Sequence, residues 1–204
     1  MNNSPFFKIG IIGPESTGKS TLASYLAHRY GGVLVPEYAR EYMEKRACAC
    51  AYTYEDVLNI AQHQVQQLQA GIYGGITEGY RSNVVFFDTE LIITKVWFLH
   101  KFGKCPDFVE EALRTYPMDV YLLCYPDMEW EPDPVRENPH IREELFLTYL
   151  DEVEKMGTPY YIIKKSDRDY IKDLLQQMSP STLVLTEENS KGVCHFLNRL
   201  HLNG

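Results

Sequence analysis

Gly13-Pro14-Glu15-Ser16-Thr17-Gly18-Lys19-Ser20 decides the reading of this chain, because each part of the stretch answers a demand of phosphate binding. The glycines let the backbone curl so that successive N–H groups converge on one anion. Lys19 brings a mobile positive charge to the β- and γ-oxygens of a triphosphate, and the Ser20 hydroxyl is placed for a Mg²⁺ ion. A helix opening near Thr21 adds its positive N-terminal end. The flanks agree. Phe6 to Ile12 (FFKIGII) reads as a buried strand, and TLASYLAHRY sets Leu22, Leu26 and Tyr30 on one helical face. Gly13, Glu15, Ser16, Thr17, Gly18, Lys19 and Ser20 therefore form the expected nucleoside triphosphate site, with Ser20 as a metal ligand.

Outward from this loop, strand and helix alternate. Val33-Leu34-Val35, Asn83 to Asp88, Val120 to Cys124 and Tyr160 to Ile163 read as further strands, with a sixth possible at Thr182–Leu185. Helical spacing covers Tyr54 to Ala70, Glu90 to Phe102, Phe108 to Tyr116 and Ile141 to Met156, then stretches near Arg168–Met178 and Lys191–Leu202. On the long helix from Tyr54, the apolar positions are Val57, Ile60, Ala61 and Val65. The expectation is one α/β domain over residues 1–204. It has the three-layer P-loop NTPase fold, with a mostly parallel five-stranded sheet, helices on both faces and a lid at about 127–142.

The composition of the 204 residues is globular, at 45% hydrophobic and 24% charged. A net charge of −8 argues against a nucleic-acid or anionic-membrane surface, either of which needs a basic face. No apolar run approaches the 18 residues of a membrane span, and the N-terminus lacks the basic start of a signal peptide. Five cysteines without a CxxC pair read as reduced thiols in a cytoplasmic protein. The six histidines, His28, His63, His100, His140, His195 and His201, form no nucleotidyl-transfer cluster and read as surface or helix-packing residues.

Three further segments carry chemistry. An apolar strand ending in an acid beside the phosphate loop supplies the Mg²⁺ shell in such folds, which makes Asp88 the second metal candidate. The same carboxylate could instead cap the helix that follows. Glu37 and Arg40 follow the second strand, at the carboxyl edge where open α/β sheets bind ligands. Glu37 could orient or deprotonate an acceptor hydroxyl, and Arg40 could hold a phosphate or pair with Glu37 or Glu41. In the Pro-rich stretch after the fourth strand, Arg136 and Arg142 are placed either as lid cations or as surface ion pairs. The chain lacks the Asp-Glu pair of motor ATPases and a guanine-reading Asn/Thr-Lys-x-Asp motif, which weakens both of those readings.

GPESTGKSTL, VPEYAREY, FFDTELIITKVW and WEPDPVRENPHIR, in this order, resemble the ribosylnicotinamide kinase domain of the bacterial bifunctional NAD-biosynthesis regulators. The resemblance runs from about residue 6 to 180. It implies ATP- and Mg²⁺-dependent phosphorylation of the 5′-hydroxyl of nicotinamide riboside, a small-molecule nucleoside. By position it implies that Lys19, Ser20 and Thr21 hold ATP and Mg²⁺. It also implies that Glu37, Tyr38 and Arg40 line the nucleoside site, that Asp88 and Glu90 flank the chemistry, and that Arg136 and Arg142 belong to the lid. Lys19, Glu37, Asp88, Arg136 and Arg142 are thus the catalytic candidates, with the base either Glu37 or Asp88. Pro36 stands where those regulators tend to carry a tryptophan, so Tyr38, Trp97 or Trp130 would have to supply the stacking ring. The rival readings are another nucleoside or nucleotide kinase of the same fold, and a regulatory ATPase without an acceptor.

Overall fold

A computed structural model describes residues 6–46, 52–70, 83–133 and 136–166. The expected sixth strand at 182–185 and the helices near 168–178 and 191–202 lie outside the described residues, as do Cys48, Cys50 and Cys194. The elements run β1 (Phe7–Ile12), α1 (Lys19–Tyr30), β2 (Val33–Val35), α2 (Tyr38–Glu44), α3 (Tyr54–Ala70), β3 (Val84–Asp88), α4 (Leu91–Phe102), α5 (Asp107–Thr115), β4 (Val120–Cys124), α6 (Arg142–Met156) and β5 (Tyr160–Ile163). The five strands form one sheet in the order β2-β3-β1-β4-β5, and all four pairings are parallel. This is the expected α/β architecture.

Each strand alternates between two cores. Ile9 and Ile11 of β1 join Val84, Phe86, Val120 and Leu122 under Leu22, Ala23 and Leu26 of α1. Ile12, Val85, Phe87, Tyr121 and Leu123 face the opposite way, against α3, α4, α5 and α6. At Gly10 the Tyr121 ring presses so close that a Cβ would stand 2.7 Å from two ring carbons. Lys8, which breaks the apolar run of β1, is buried as well, and that burial lowers its pKa against the pull of Asp119 and Glu90.

Helix ends differ from expectation in instructive ways. Asp88 does not cap α4. Glu90 does, its side chain accepting a hydrogen bond from the Ile92 N–H at 2.9 Å. On α3, Val57, Ile60 and Ala61 are buried as expected, but the core row continues through Gln64 and Leu68, and Val65 is only half-buried. A period of 3.6 residues carries the buried stripe from 57 to 60/61, 64 and 68, and it passes through a glutamine. Lys95 of α4 is held by Glu110 of α5 at 2.6 Å and by Glu152 of α6, so one ammonium joins three helices. Among the described residues no helix is long and apolar enough to cross a membrane.

Candidate active site

The phosphate loop is a turn that only its own residues allow. Gly13 has φ 135, and a Cβ there would stand 2.6 Å from the Cys124 carbonyl oxygen. Gly18 caps α1 in the left-handed conformation at φ 74. Ser16 adopts φ 55, unusual for a residue with a side chain, and its hydroxyl explains how that is held. It donates to the Glu131 carbonyl at 3.2 Å and accepts from the Glu131 N–H at 3.1 Å and from Arg136 Nη1 at 2.9 Å. Pro14 O accepts from Thr17 Oγ1 at 2.8 Å and from Lys19 Nζ at 2.7 Å. Thr17 is thereby turned inward and buried, so it shapes the loop and does not line the cleft.

The segment before α6 lies across this loop. The Glu15 carboxylate accepts hydrogen bonds from the Glu137 N–H at 3.2 Å and the Asn138 N–H at 2.9 Å. Arg136 Nη1 also donates to the Glu131 carbonyl at 2.6 Å. Arg142 donates to Met128 O at 3.0 Å and Ser16 O at 3.4 Å, with its guanidinium 5.9 Å from the Trp130 ring centre. Glu137 is further tied to Lys101 and to the Tyr52 hydroxyl, each at 3.0 Å. Pro134 and Val135 fall outside the described residues.

Between the loop, this strap and helices α2, α3 and α4 lies an open cleft of about 770 Å³. Gly13, Glu15, Ser16, Gly18, Lys19, Ser20, Thr21, Glu37, Arg40 and Arg136 all line it. Glu37 arrives there as the residue that opens α2. Burial raises its pKa and Asp88 adds to the rise, while Lys19, Arg40 and Arg136 oppose it. Arg40 donates to Asp133 at 3.1 Å and stands 3.9 Å from both Glu37 and Glu44. Glu41, the alternative partner expected for it, is engaged by Lys45.

Parallel register puts Asp88 beside Ile11, at the base of the phosphate loop. Its side chain is buried, which raises its pKa, with Ser20, Lys19 and Arg40 close enough to oppose the rise. Asp88 Oδ1 has no hydrogen-bond partner among the described residues. A buried carboxylate oxygen left open beside the Ser20 hydroxyl suits a Mg²⁺ ion, which takes one or two protein oxygens and completes its shell with water and phosphate. The described residues hold no group of three or more His, Cys, Asp or Glu side chains that could hold a metal ion.

Two expected substrate contacts stand apart from the cleft. Tyr38 and Glu90 line a neighbouring water-sized cavity of about 10 Å³, which meets the cleft at Gln64 and Thr89. One face of the Tyr38 ring is covered by His63, with centroids 3.5 Å apart and planes 10° from parallel. Of the three rings considered for stacking, Trp97 lines the cleft, with Tyr52 edge-on at 4.8 Å. Sequence reasoning passed over Gln64, Thr89, Ile93 and Thr94 on the cleft wall. The one signal available was a glutamine in the apolar row of α3.

The AAA domain family AAA_28 matches residues 8–169, from β1 and the phosphate loop past β5. The chain belongs to this family. Among curated proteins, this AAA domain is 27% identical over 171 residues to the trifunctional NAD biosynthesis/regulator protein NadR of Salmonella typhimurium. It is 26% identical to NadR of Escherichia coli over the same length. Each alignment takes in 81% of this chain but 40% of the relative. The fold recurs in two solved structures. NadR in complex with NAD and AMP-PNP has TM-score 0.61 and 22% identity over 89% of this chain and 52% of that one. NadR in complex with NR has TM-score 0.65 and 20% identity over 88% and 54%.

Proposed function

We propose that this AAA domain is a kinase that transfers the γ-phosphoryl group of Mg-ATP to the 5′-hydroxyl of nicotinamide riboside, giving nicotinamide mononucleotide. The observation that carries the reading is the convergence of Glu37, Lys19 and Arg136 on one open cleft at the mouth of a phosphate loop. That arrangement leaves room for an acceptor opposite the triphosphate, which a switch ATPase does not need. The similarity to NadR, whose solved complexes hold AMP-PNP in one case and NR in another, supports ATP as donor and the riboside as acceptor.

In this mechanism the backbone N–H groups of residues 13–18 and the Lys19 ammonium hold the triphosphate. Phosphoryl transfer asks a protein mainly for positioning and for stabilisation of charge on the equatorial oxygens. Arg136, already reaching the loop through Ser16, meets the second demand, and Arg142 braces the strap that carries it. A Mg²⁺ ion held through Ser20 and Asp88 would neutralise charge between the β- and γ-phosphates. Glu37 is the acceptor-orienting base: it lines the cleft, and burial raises its pKa, which makes it a stronger proton acceptor than an ordinary carboxylate. Asp88, sunk beneath the cleft, is left to the metal.

The test is a panel of nucleosides with Mg-ATP, scored for ADP and for phosphorylated product. Nicotinamide riboside is expected to turn over fastest. ADP release that no acceptor stimulates would sink the kinase reading, and faster turnover of another nucleoside would move the specificity elsewhere.

A further inference from the structure

We infer that Gln64, oriented by Thr94, reads the base of the acceptor by hydrogen bonding an exocyclic carboxamide on a flat heteroaromatic ring. The inference rests on the kinase reading above and names the group by which that site would choose its substrate.

Gln64 occupies the buried stripe of α3 between Ala61 and Leu68, where an apolar side chain would pack without cost, and only 7% of it is exposed. Burying an amide is tolerated when its hydrogen bonds are met. Here only one end is met. Thr94 Oγ1, itself 2% exposed, donates to Gln64 Oε1 at 2.7 Å. The Nε2 end makes no hydrogen bond among the described residues, and Gln64 lines the active-site cleft as well as the small cavity beside it. A glutamine serving only to glue α3 to α4 would have no reason to open on the cleft. Held by Thr94, the amide presents a fixed donor that a ligand carbonyl oxygen can complete.

The neighbouring wall says what kind of ligand carries that oxygen. Ile93 and Trp97, one helical turn apart on α4 and flanking Thr94, both line the cleft. Thr94, Ile93 and Trp97 bear no formal charge, whereas the lysine and arginines of the cleft, Lys19, Arg40, Arg46 and Arg136, come from α1, α2, the turn after α2 and the strap. A neutral polar donor beside an indole and an aliphatic side chain suits a planar ring with an uncharged carbonyl substituent. It does not suit a phosphate.

The experiment compares kcat/KM for nicotinamide riboside with that for the riboside of unsubstituted pyridinium, both with Mg-ATP. Gln64→Met keeps the volume and removes the donor. It should lower kcat/KM for the carboxamide substrate by ~10–100-fold, the worth of a buried hydrogen bond left unmade. The unsubstituted riboside should change by less than about 3-fold, since it never used that bond. Thr94→Val, which only frees the amide to rotate, should show the same one-sided loss in smaller measure, and it decides the question if Gln64→Met does not fold. Equal losses on both substrates, or none on either, overturn the assignment and leave the kinase intact. Wild-type protein that phosphorylates neither riboside overturns both.

Discussion

Removing the carboxylate of Glu15 tests whether the strap over the phosphate loop is a working part of the proposed kinase. Glu15 sits inside the loop motif, yet its side chain accepts from the backbone N–H groups of Glu137 and Asn138. Those residues directly follow Arg136, so the carboxylate fixes the peptide that aims the guanidinium at Ser16. Two N–H donors lose a charged acceptor in Glu15→Ala. A hydrogen bond to a charged group is worth ~1.5–3 kcal/mol when buried, and this partly exposed pair falls nearer ~1 kcal/mol each. A total of ~2 kcal/mol shifts the closed-to-open ratio of the strap by ~30-fold. Turnover under saturating substrates should therefore fall by up to ~30-fold. The dissociation constant for ATP should stay within ~3-fold, because the backbone cradle and Lys19 are untouched. In the Glu15→Ala background, Arg136→Ala should cost less than it does alone, since an arginine no longer held over the loop has less to lose. The assay pairs steady-state kcat with nucleotide titration on four proteins: wild type, both single variants and the double. An unchanged kcat refutes the reasoning. So does a loss confined to ATP affinity, or full additivity of the two substitutions.

Other outcomes follow from groups described above. Asp88→Asn should raise the Mg²⁺ concentration needed for half-maximal turnover and lower kcat by ~100-fold or more, while metal-free nucleotide binding survives; a magnesium titration of ADP formation reads both. Burial holds the Glu90 carboxyl up at about 7, against the Leu91 and Ile92 N–H groups and Lys8. The folded state therefore keeps a proton that the unfolded chain has released above about 4.3, and stability falls as pH rises between these values. Glu90→Gln, which preserves the cap acceptor, should remove up to about 3 kcal/mol of that slope in urea unfolding at pH 5 and pH 8; parallel slopes for the two proteins would contradict it. Lys95→Met should destabilise the fold by ~1–3 kcal/mol, because it leaves the buried Glu152 carboxylate with Lys155 alone, at 2.9 Å, and the Lys95→Met/Glu152→Leu double variant should regain most of it. Equal Tm losses in the single and double variants would show the buried ion pair to be incidental.

The phosphate loop was legible because all its parts lie in eight consecutive residues and each obeys local geometry. Glu37 and Asp88 were legible for a related reason: a residue just past a parallel strand lies on the ligand-binding edge whatever the packing. What escaped depends on neighbours distant in the chain. That Glu15 would turn from nucleotide to strap follows from residues 137 and 138 folding back over it. Thr17 looks like a ligand contact until Pro14 O is seen to claim its hydroxyl. Glu90 belongs to the same short motif as Asp88, but parallel register carries one beside Ile11 at the base of the phosphate loop while the helix start takes the other down beside Lys8. Tyr38 is placed well by sequence and then covered by His63 from a helix that periodicity alone cannot orient. Gln64 was hidden by the reverse error, since Val65 fitted the apolar pattern one position on.

The latch on Ser16 has a consequence for the order in which the molecule is built. Ser16 and Glu15 contact residues 131 to 142, between 115 and 126 positions further along the chain. During synthesis, therefore, β1 and α1 leave the ribosome long before the segment that holds Ser16 at its unusual φ. A partial chain that has paired β1 with β3 has a sheet edge and a helix start, but a phosphate loop still free to relax. The strap closes over the loop only once residue 142 is made, as a late step laid on strands already paired.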